Sequence, residues 1–279
     1  MYCSSLKNKV IIVTGGSGGI GSAVVNKLAR KEALIVSVYH RNRPADILFD
    51  NVVLLKADLT RSEEWDKLIS FTLNKYGRID VLINSCGFLE PGEFSSLEEN
   101  QFRKMIETNF TSVLIGISKT LKILRDQGYG HIINIGSLGG IVPMPYSSVY
   151  SAVKFALRGF TFSLVEELKG TNIQLALITP GSVITKMLDY EALDNNTSIS
   201  FVSKPISPDQ VSYAVLKVIQ KPKTELIIPK GQSLASKLLI FSPKIYSILY
   251  RFLHKVGLQR KQAYLNRFCT FNLVKGVSK

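Results

Sequence analysis

Apolar positions along the chain fall into short unbroken runs, separated by stretches in which they recur every three or four residues. The runs "KVIIV", "LIVSV", "VVLL", "DVLIN", "HIINI", "IQLALI" and "ELIIP" are rich in Val and Ile and do not alternate with polar residues. Strands covered on both faces read this way. Helical periodicity occupies 19–31, 62–76, 98–125, 150–169 and 208–220. Strand and helix in alternation predict an α/β fold: a doubly wound, seven-stranded parallel sheet with helices on both faces. The alternation ends near Pro229, which divides the chain into a body, 1–230, and an extension, 231–279. One polar stretch, "DYEALDNNTSISFVSK" at 189–204, has no clear period and predicts a mobile loop.

The extension has a pattern of its own. In "SPKIYSILYRFLHKVG", Ile245, Ile248, Leu249, Phe252, Leu253 and Val256 follow a helical repeat, with Lys244, Ser247, Arg251 and Lys255 opposite. Pro243 separates this helix from the shorter run "LASKLLIF". The stripe fits two arrangements: packing on the body or a second subunit, and lying on an anionic membrane surface through 234–256.

Charge bears on that choice. The chain carries +14, yet no acidic residue follows Glu225, and the bases after it supply +10. The body is left with only +4 and no basic recognition motif, which argues against a nucleic-acid partner. A basic amphipathic tail favours the membrane arrangement.

Other composition is ordinary: 46% hydrophobic and 20% charged residues describe a globular protein. Cys3, Cys86 and Cys269 are scattered, as are His40, His131 and His254, so neither a disulfide framework nor a metal site is expected. With the first strand starting at Lys9 and no long apolar run, the expectation is a cytoplasmic protein without a leader or a spanning helix.

Candidate chemistry begins after the first strand, in "VTGGSGGIGSAVVNKLA", where Gly15, Gly19 and Gly21 stand at a strand-to-helix turn. Glycines there permit the tight turn and let backbone N–H groups approach a pyrophosphate at the helix N-terminus. At the end of the second strand an acid would accept the ribose hydroxyls of NAD. From Ala33 to Ala45 there is none, while His40, Arg41 and Arg43 are present. NADP(H) is therefore favoured over NAD(H), because a 2′-phosphate meets cations there. Further on, Tyr150 and Lys154 lie one helical turn apart and share a face.

These residues together resemble the short-chain dehydrogenases/reductases, in their single-domain form, over roughly residues 7–230. Asp58 in "KADLT" matches the adenine-contacting aspartate of that family, and Asn84 opens "NSCG" where Asn-Asn-Ala-Gly is usual. Asn109 in "ETNF" matches the helix asparagine of the catalytic tetrad, and Ser137 precedes Tyr150 by the usual thirteen residues. "PGSVIT" at 180–185 matches the segment bordering the nicotinamide. The resemblance implies catalytic roles for Asn109, Ser137, Tyr150 and Lys154. It also implies cofactor contacts from Gly15, Ser17, Gly19, Ile20, Gly21, His40, Arg41, Asp58, Leu59, Asn84, Tyr150, Lys154, Pro180, Gly181 and Thr185. Ser85, Cys86 and Gly136 depart from the common pattern by small-for-small changes.

The implied reaction is hydride transfer between a nicotinamide and a carbonyl or alcohol, with Tyr150 as acid/base, Ser137 polarising the oxygen and Asn109 holding a relay water. Bringing a phenol from about 10 to about 7 takes about 4 kcal/mol. A lysine charge at about 4 Å supplies that amount at an effective dielectric near 20. Lys154 is thus expected to depress Tyr150. The substrate is expected to be lipophilic, of 3-oxoacyl, steroid or retinoid type, under a loop at 186–205. Helices 98–125 and 150–169 resemble those through which members of the family assemble, which implies a homodimer or homotetramer. Two alternatives were weighed. A non-catalytic NADP-sensing protein could lose Tyr150 or Lys154, and extended epimerase-like relatives need a longer C-terminal domain.

Overall fold

The computed structural model describes residues 5–231 and 243–275, with side chains of 246–267 alone in the last helix. Seven strands run in chain order: β1 Val10–Thr14, β2 Leu34–Tyr39, β3 Val52–Lys56, β4 Val81–Asn84, β5 Gly130–Ile135, β6 Ile173–Pro180 and β7 Glu225–Ile228. They form one sheet in the order β3-β2-β1-β4-β5-β6-β7, every pair parallel. The order reverses between β1 and β4, which opens a crevice at the C-terminal ends of those strands.

Successive residues of each strand feed opposite faces. Ile11, Val13, Ile35, Val81 and Ile83 pack with α1 (Gly19–Ala29) and α7 (Pro208–Gln220). Ile12, Val36, Val38, Leu82 and Ile132 pack with α2 (Ser62–Tyr76), α4 (Ser112–Gln127) and α5 (Ser148–Glu167). Apolar residues at both parities are what the unbroken runs in the sequence encode.

The predicted helix over 98–125 is interrupted. It consists of α3 (Glu99–Ile106), a π-helical turn at Glu107–Thr111, and α4. Such single-turn insertions re-aim one side chain without breaking the rod. The side chain concerned is Asn109.

One expectation is corrected. The stretch 189–204 is largely ordered structure: α6 spans Lys186–Leu193 and a 3₁₀ turn spans Ile199–Phe201. Leu188, Ala192 and Phe201 are buried and pack with Tyr264 and Leu265 of the last helix. Their partners lie more than sixty residues away in sequence, so no local period reveals them.

The last helix, α8 (Pro243–Lys275), packs on the body with a face that takes in only part of the aliphatic stripe, Leu253 being half-buried in a cavity wall. Tyr246 is buried and Tyr250 half-buried against Ile141, Val142 and Ile227, and Gly257 is buried against Ser198. Ile248 and Phe252 point outward, 75% and 66% exposed. The packed face uses tyrosines, a glycine and a lysine, residues that an apolar count passes over. The side chain of Ile245 and the run at 234–241 lie outside the described residues.

Candidate active site

Two adjoining hollows lie at the C-terminal ends of the strands. The larger is a cleft of about 1090 Å³ and the smaller an apolar cavity of about 320 Å³. Ile20, Gly136, Tyr150, Thr185 and Met187 line both.

The cleft floor is the glycine turn. Gly15 has φ +67°, and a Cβ there would stand 2.9 Å from the Cys86 nitrogen. At Gly21 a Cβ would stand 2.1 Å from the Gly15 carbonyl oxygen. No other residue fits either place. Gly18 caps α1 in extended conformation with no side-chain bond, so the first N–H groups of the helix face the cleft floor.

The cleft's far wall is polar. His40 Nε2 lies 3.8 Å from Asp58 Oδ2, and Arg41 stands beside it in the wall. Burial would raise the Asp58 pKa, but side-chain and backbone hydrogen bonds from Thr60, helped by the charges of His40 and Arg61, hold it below the usual value. Asp46 also lines the cleft, its carboxylate accepting from Ser22 Oγ at 2.8 Å. It falls one residue beyond the acid-free stretch in the sequence.

Ser137 leaves the end of β5 with extended backbone and accepts from the Gly139 N–H at 3.0 Å. Its side chain hydrogen-bonds the phenol of Tyr150. Lys154 lies beneath that ring, its Nζ 5.6 Å from the centroid and donating to the Ile135 carbonyl at 3.1 Å. Burial draws its pKa down to about 8.

The expected depression of Tyr150 by Lys154 does not occur in the protein alone. Burial pushes the phenol up to about 12; the Ser137 hydrogen bond lowers it in part, and the charge of Glu191 raises it. Burial dominates because it disfavours the charged phenolate. The phenol therefore keeps its proton at neutral pH.

Of the sequence-derived residues, Gly15, Ser17, Gly19, Ile20, Gly21, His40, Arg41, Asp58, Leu59, Tyr150, Lys154 and Thr185 all line the cleft. Pro180 and Gly181 line the smaller cavity. Asn84 and Asn109 line neither. Asn84 is buried and donates to Asn134 Oδ1 at 2.9 Å, and Asn134 in turn donates to Thr161. Asn109 donates to the Phe88 and Met105 carbonyls, each at 2.7 Å, and accepts from the Phe88 N–H at 3.0 Å. It ties the π-helical turn to the segment after β4.

Residues 9–196 match the family model described as short chain dehydrogenase. The chain belongs to the short-chain dehydrogenase family. It is an oxidoreductase. An uncharacterised oxidoreductase of Staphylococcus saprophyticus is 35% identical over 245 residues, covering 83% of this chain and 100% of its own length. One from Listeria monocytogenes is 32% identical over 232 residues, covering 78% and 93%. Among solved structures, a short-chain dehydrogenase from Streptomyces avermitilis aligns with a TM-score of 0.74 at 23% identity, over 88% of this chain and 97% of its own. ElxO, solved with NADP bound, aligns with a TM-score of 0.71 at 23% identity, over 79% and 97%.

The segment 186–205 supplies part of the smaller cavity's wall, and the sequence did not disclose that the last helix completes it. Leu253 of α8, Glu191 and Ser200 all line it. Only the packing of α8 over α6 brings them there.

Proposed function

We propose that this dehydrogenase reduces a lipophilic carbonyl compound to its alcohol, with NADPH preferred to NADH. The observation that carries the reading is that Tyr150 stands in both the polar cleft and the apolar cavity. A dinucleotide in the first and a carbonyl compound in the second would meet at its phenol. The glycine turn fits such a cofactor because Gly15 and Gly21, where a Cβ would strike neighbouring main chain, let the strand pass tightly into the N-terminus of α1 beside the cleft. When bound, the nicotinamide supplies the hydride. A solved relative, ElxO, holds NADP, which supports the class of cofactor.

The chain's own part is proton delivery. Tyr150, protonated with a pKa near 12, can give its proton to the oxygen as negative charge develops there. Ser137 Oγ, bonded to that phenol, is placed to share the oxygen. Lys154 orders the base of the site through Ile135 and adds positive charge. Asn109 contributes by holding the Phe88 segment, a wall of the cleft, with both amide N–H donors spent on main-chain carbonyls.

His40 and Arg41 in the cleft wall favour a 2′-phosphate, and the Asp46 carboxylate opposes it. Arg41 in the wall, with no acid between Ala33 and Ala45, supports NADP(H). The test is consumption of NADPH and of NADH, followed by absorbance, against 3-oxoacyl thioesters, steroids, retinoids and simple aldehydes. Turnover of none of them overturns the reading.

Further features bear on setting. Residues 1–230 are taken as the catalytic domain and 231–279 as its extension. On α5, Ala152, Ala156, Gly159 and Ser163 form an exposed row of small residues, which suits close approach of a second α5 in a homodimer or homotetramer. On α8, exposed Ile248 and Phe252 lie among Arg251 and Lys255, which suits peripheral contact with an anionic membrane from the cytoplasmic side. Among the described residues no helix is long and apolar enough to cross a membrane. Co-sedimentation with anionic liposomes at low salt tests the contact. Ile248→Ser with Phe252→Ser is expected to weaken it, and wild-type protein staying in the supernatant overturns it.

A further inference from the structure

Among the described residues, Glu191 is the one carboxyl group in the wall of the smaller cavity, the proposed substrate site. Around it the wall is mostly apolar, with Leu89, Val142, Met144, Val183, Ile199 and Leu253 among its members. Glu191 is 6% exposed and its Oε1 accepts from Ser200 Oγ at 2.6 Å. No ion pair neutralises it among the described residues. Lys261 of α8 is near enough to be felt, but its ammonium donates to the Asp194 and Asn195 carbonyls, at 2.6 and 3.3 Å.

A buried carboxyl group is costly unless hydrogen bonds satisfy it. One serine hydroxyl supplies one bond, whereas a carboxylate offers about four acceptor sites. The helix does not require the group, since α6 packs through Leu188 and Ala192. Burial raises its pKa to about 7, so near neutrality it offers an acceptor in either protonation state.

We propose that Glu191 recognises a hydrogen-bond donor on the substrate, so that the carbonyl compound carries a hydroxyl group as a second polar function. This rests on the carbonyl-reductase reading above. The cavity then has two polar groups, Ser137 with Tyr150 at the reacting oxygen and Glu191 with Ser200 at the hydroxyl, near enough that the Glu191 charge is felt by the phenol. A neutral donor suits the second pole better than a cation, because Lys261 places a positive charge nearby.

The test compares kcat/KM for straight-chain aldehydes and their ω-hydroxy counterparts, across a range of chain lengths that lets the hydroxyl sample the cavity. At the matching length the hydroxyaldehyde is expected to be favoured by about tenfold to a hundredfold, the usual consequence of leaving a buried acceptor unsatisfied. Glu191→Leu is expected to bring that ratio to about one, through a higher KM for the hydroxyaldehyde, and Glu191→Gln to keep part of it. Should Glu191→Leu fail to fold by circular dichroism, Glu191→Gln is read for the same partial loss. Equal kcat/KM for both series at every length, or a preference untouched in the variants, overturns the proposal while leaving the reductase reading intact. Turnover of neither series, nor of the wider carbonyl panel, overturns both.

Discussion

Gly257 of α8 lies directly on the main chain of Ser198: a Cβ at Gly257 would stand 2.3 Å from the Ser198 carbonyl oxygen. Next to this contact, Ser198 Oγ meets His254 Nδ1 at 2.8 Å, and Tyr264 donates to Asp189 Oδ1 at 2.6 Å. The helix thus clamps the segment that walls the substrate cavity. Gly257→Val forces the two apart, because the obstacle is backbone and cannot turn aside. Overpacking of this kind costs about 1–3 kcal/mol. The melting temperature is expected to fall, and KM for the carbonyl substrate to rise more than KM for NADPH. Steady-state kinetics with calorimetry checks this; equal KM changes would show that the clamp does not shape the cavity.

Tyr150→Phe removes the proton donor while keeping the ring against Lys154. Turnover is expected to fall by about two to four decades, with NADPH binding retained. Lys154→Met is expected to reduce both. Fluorescence titration of NADPH beside single-turnover rates separates the two patterns, and near-normal turnover in Tyr150→Phe would sink the mechanism.

Arg41, His40 and Asp46 all line the cleft. Arg41→Ala is expected to weaken NADPH binding by about tenfold, an amount worth about 1.4 kcal/mol, and to leave NADH nearly unchanged. Asp46→Asn is expected to act the other way and widen the preference. Calorimetric titration of both cofactors measures each shift; equal affinities in the wild-type protein would refute the assignment.

Burial raises the Glu191 pKa from 4.5 to about 7. Between these values the folded protein holds a proton that the unfolded chain has lost. Stability from this group therefore declines as pH rises through the window, and the cost is complete above about 7. It amounts to roughly 3 kcal/mol at about 1.36 kcal/mol per pH unit. Glu191→Gln removes the titration, so the variant is expected to gain on wild type in chemical denaturation as pH rises from about 5 to about 8. A stability difference independent of pH would mean that Glu191 is charged throughout.

The runs "KVIIV" and "DVLIN" determined by themselves that their strands lie inside a parallel sheet, because only strands covered on both faces are apolar at every position. The glycine turn was legible for a similar reason: Gly15 and Gly21 answer to backbone conformation and close approach, which neighbouring residues impose. Tyr150 and Lys154 share one helical turn, so their proximity is a property of the helix. Distant packing decided the rest. Asn84 carries the pattern of a cleft residue, yet it is spent on Asn134 and Thr161 inside the sheet layer. Tyr150 has the lysine neighbour expected to depress it, yet burial sets its pKa. The face that α8 presents to the body was settled by Ser198, Phe201 and Val142, residues with no sequence proximity to it. Local pattern records what a residue's own helix or strand requires of it; which neighbour it meets, and how dry that meeting is, depends on surfaces brought together only when the chain closes on itself.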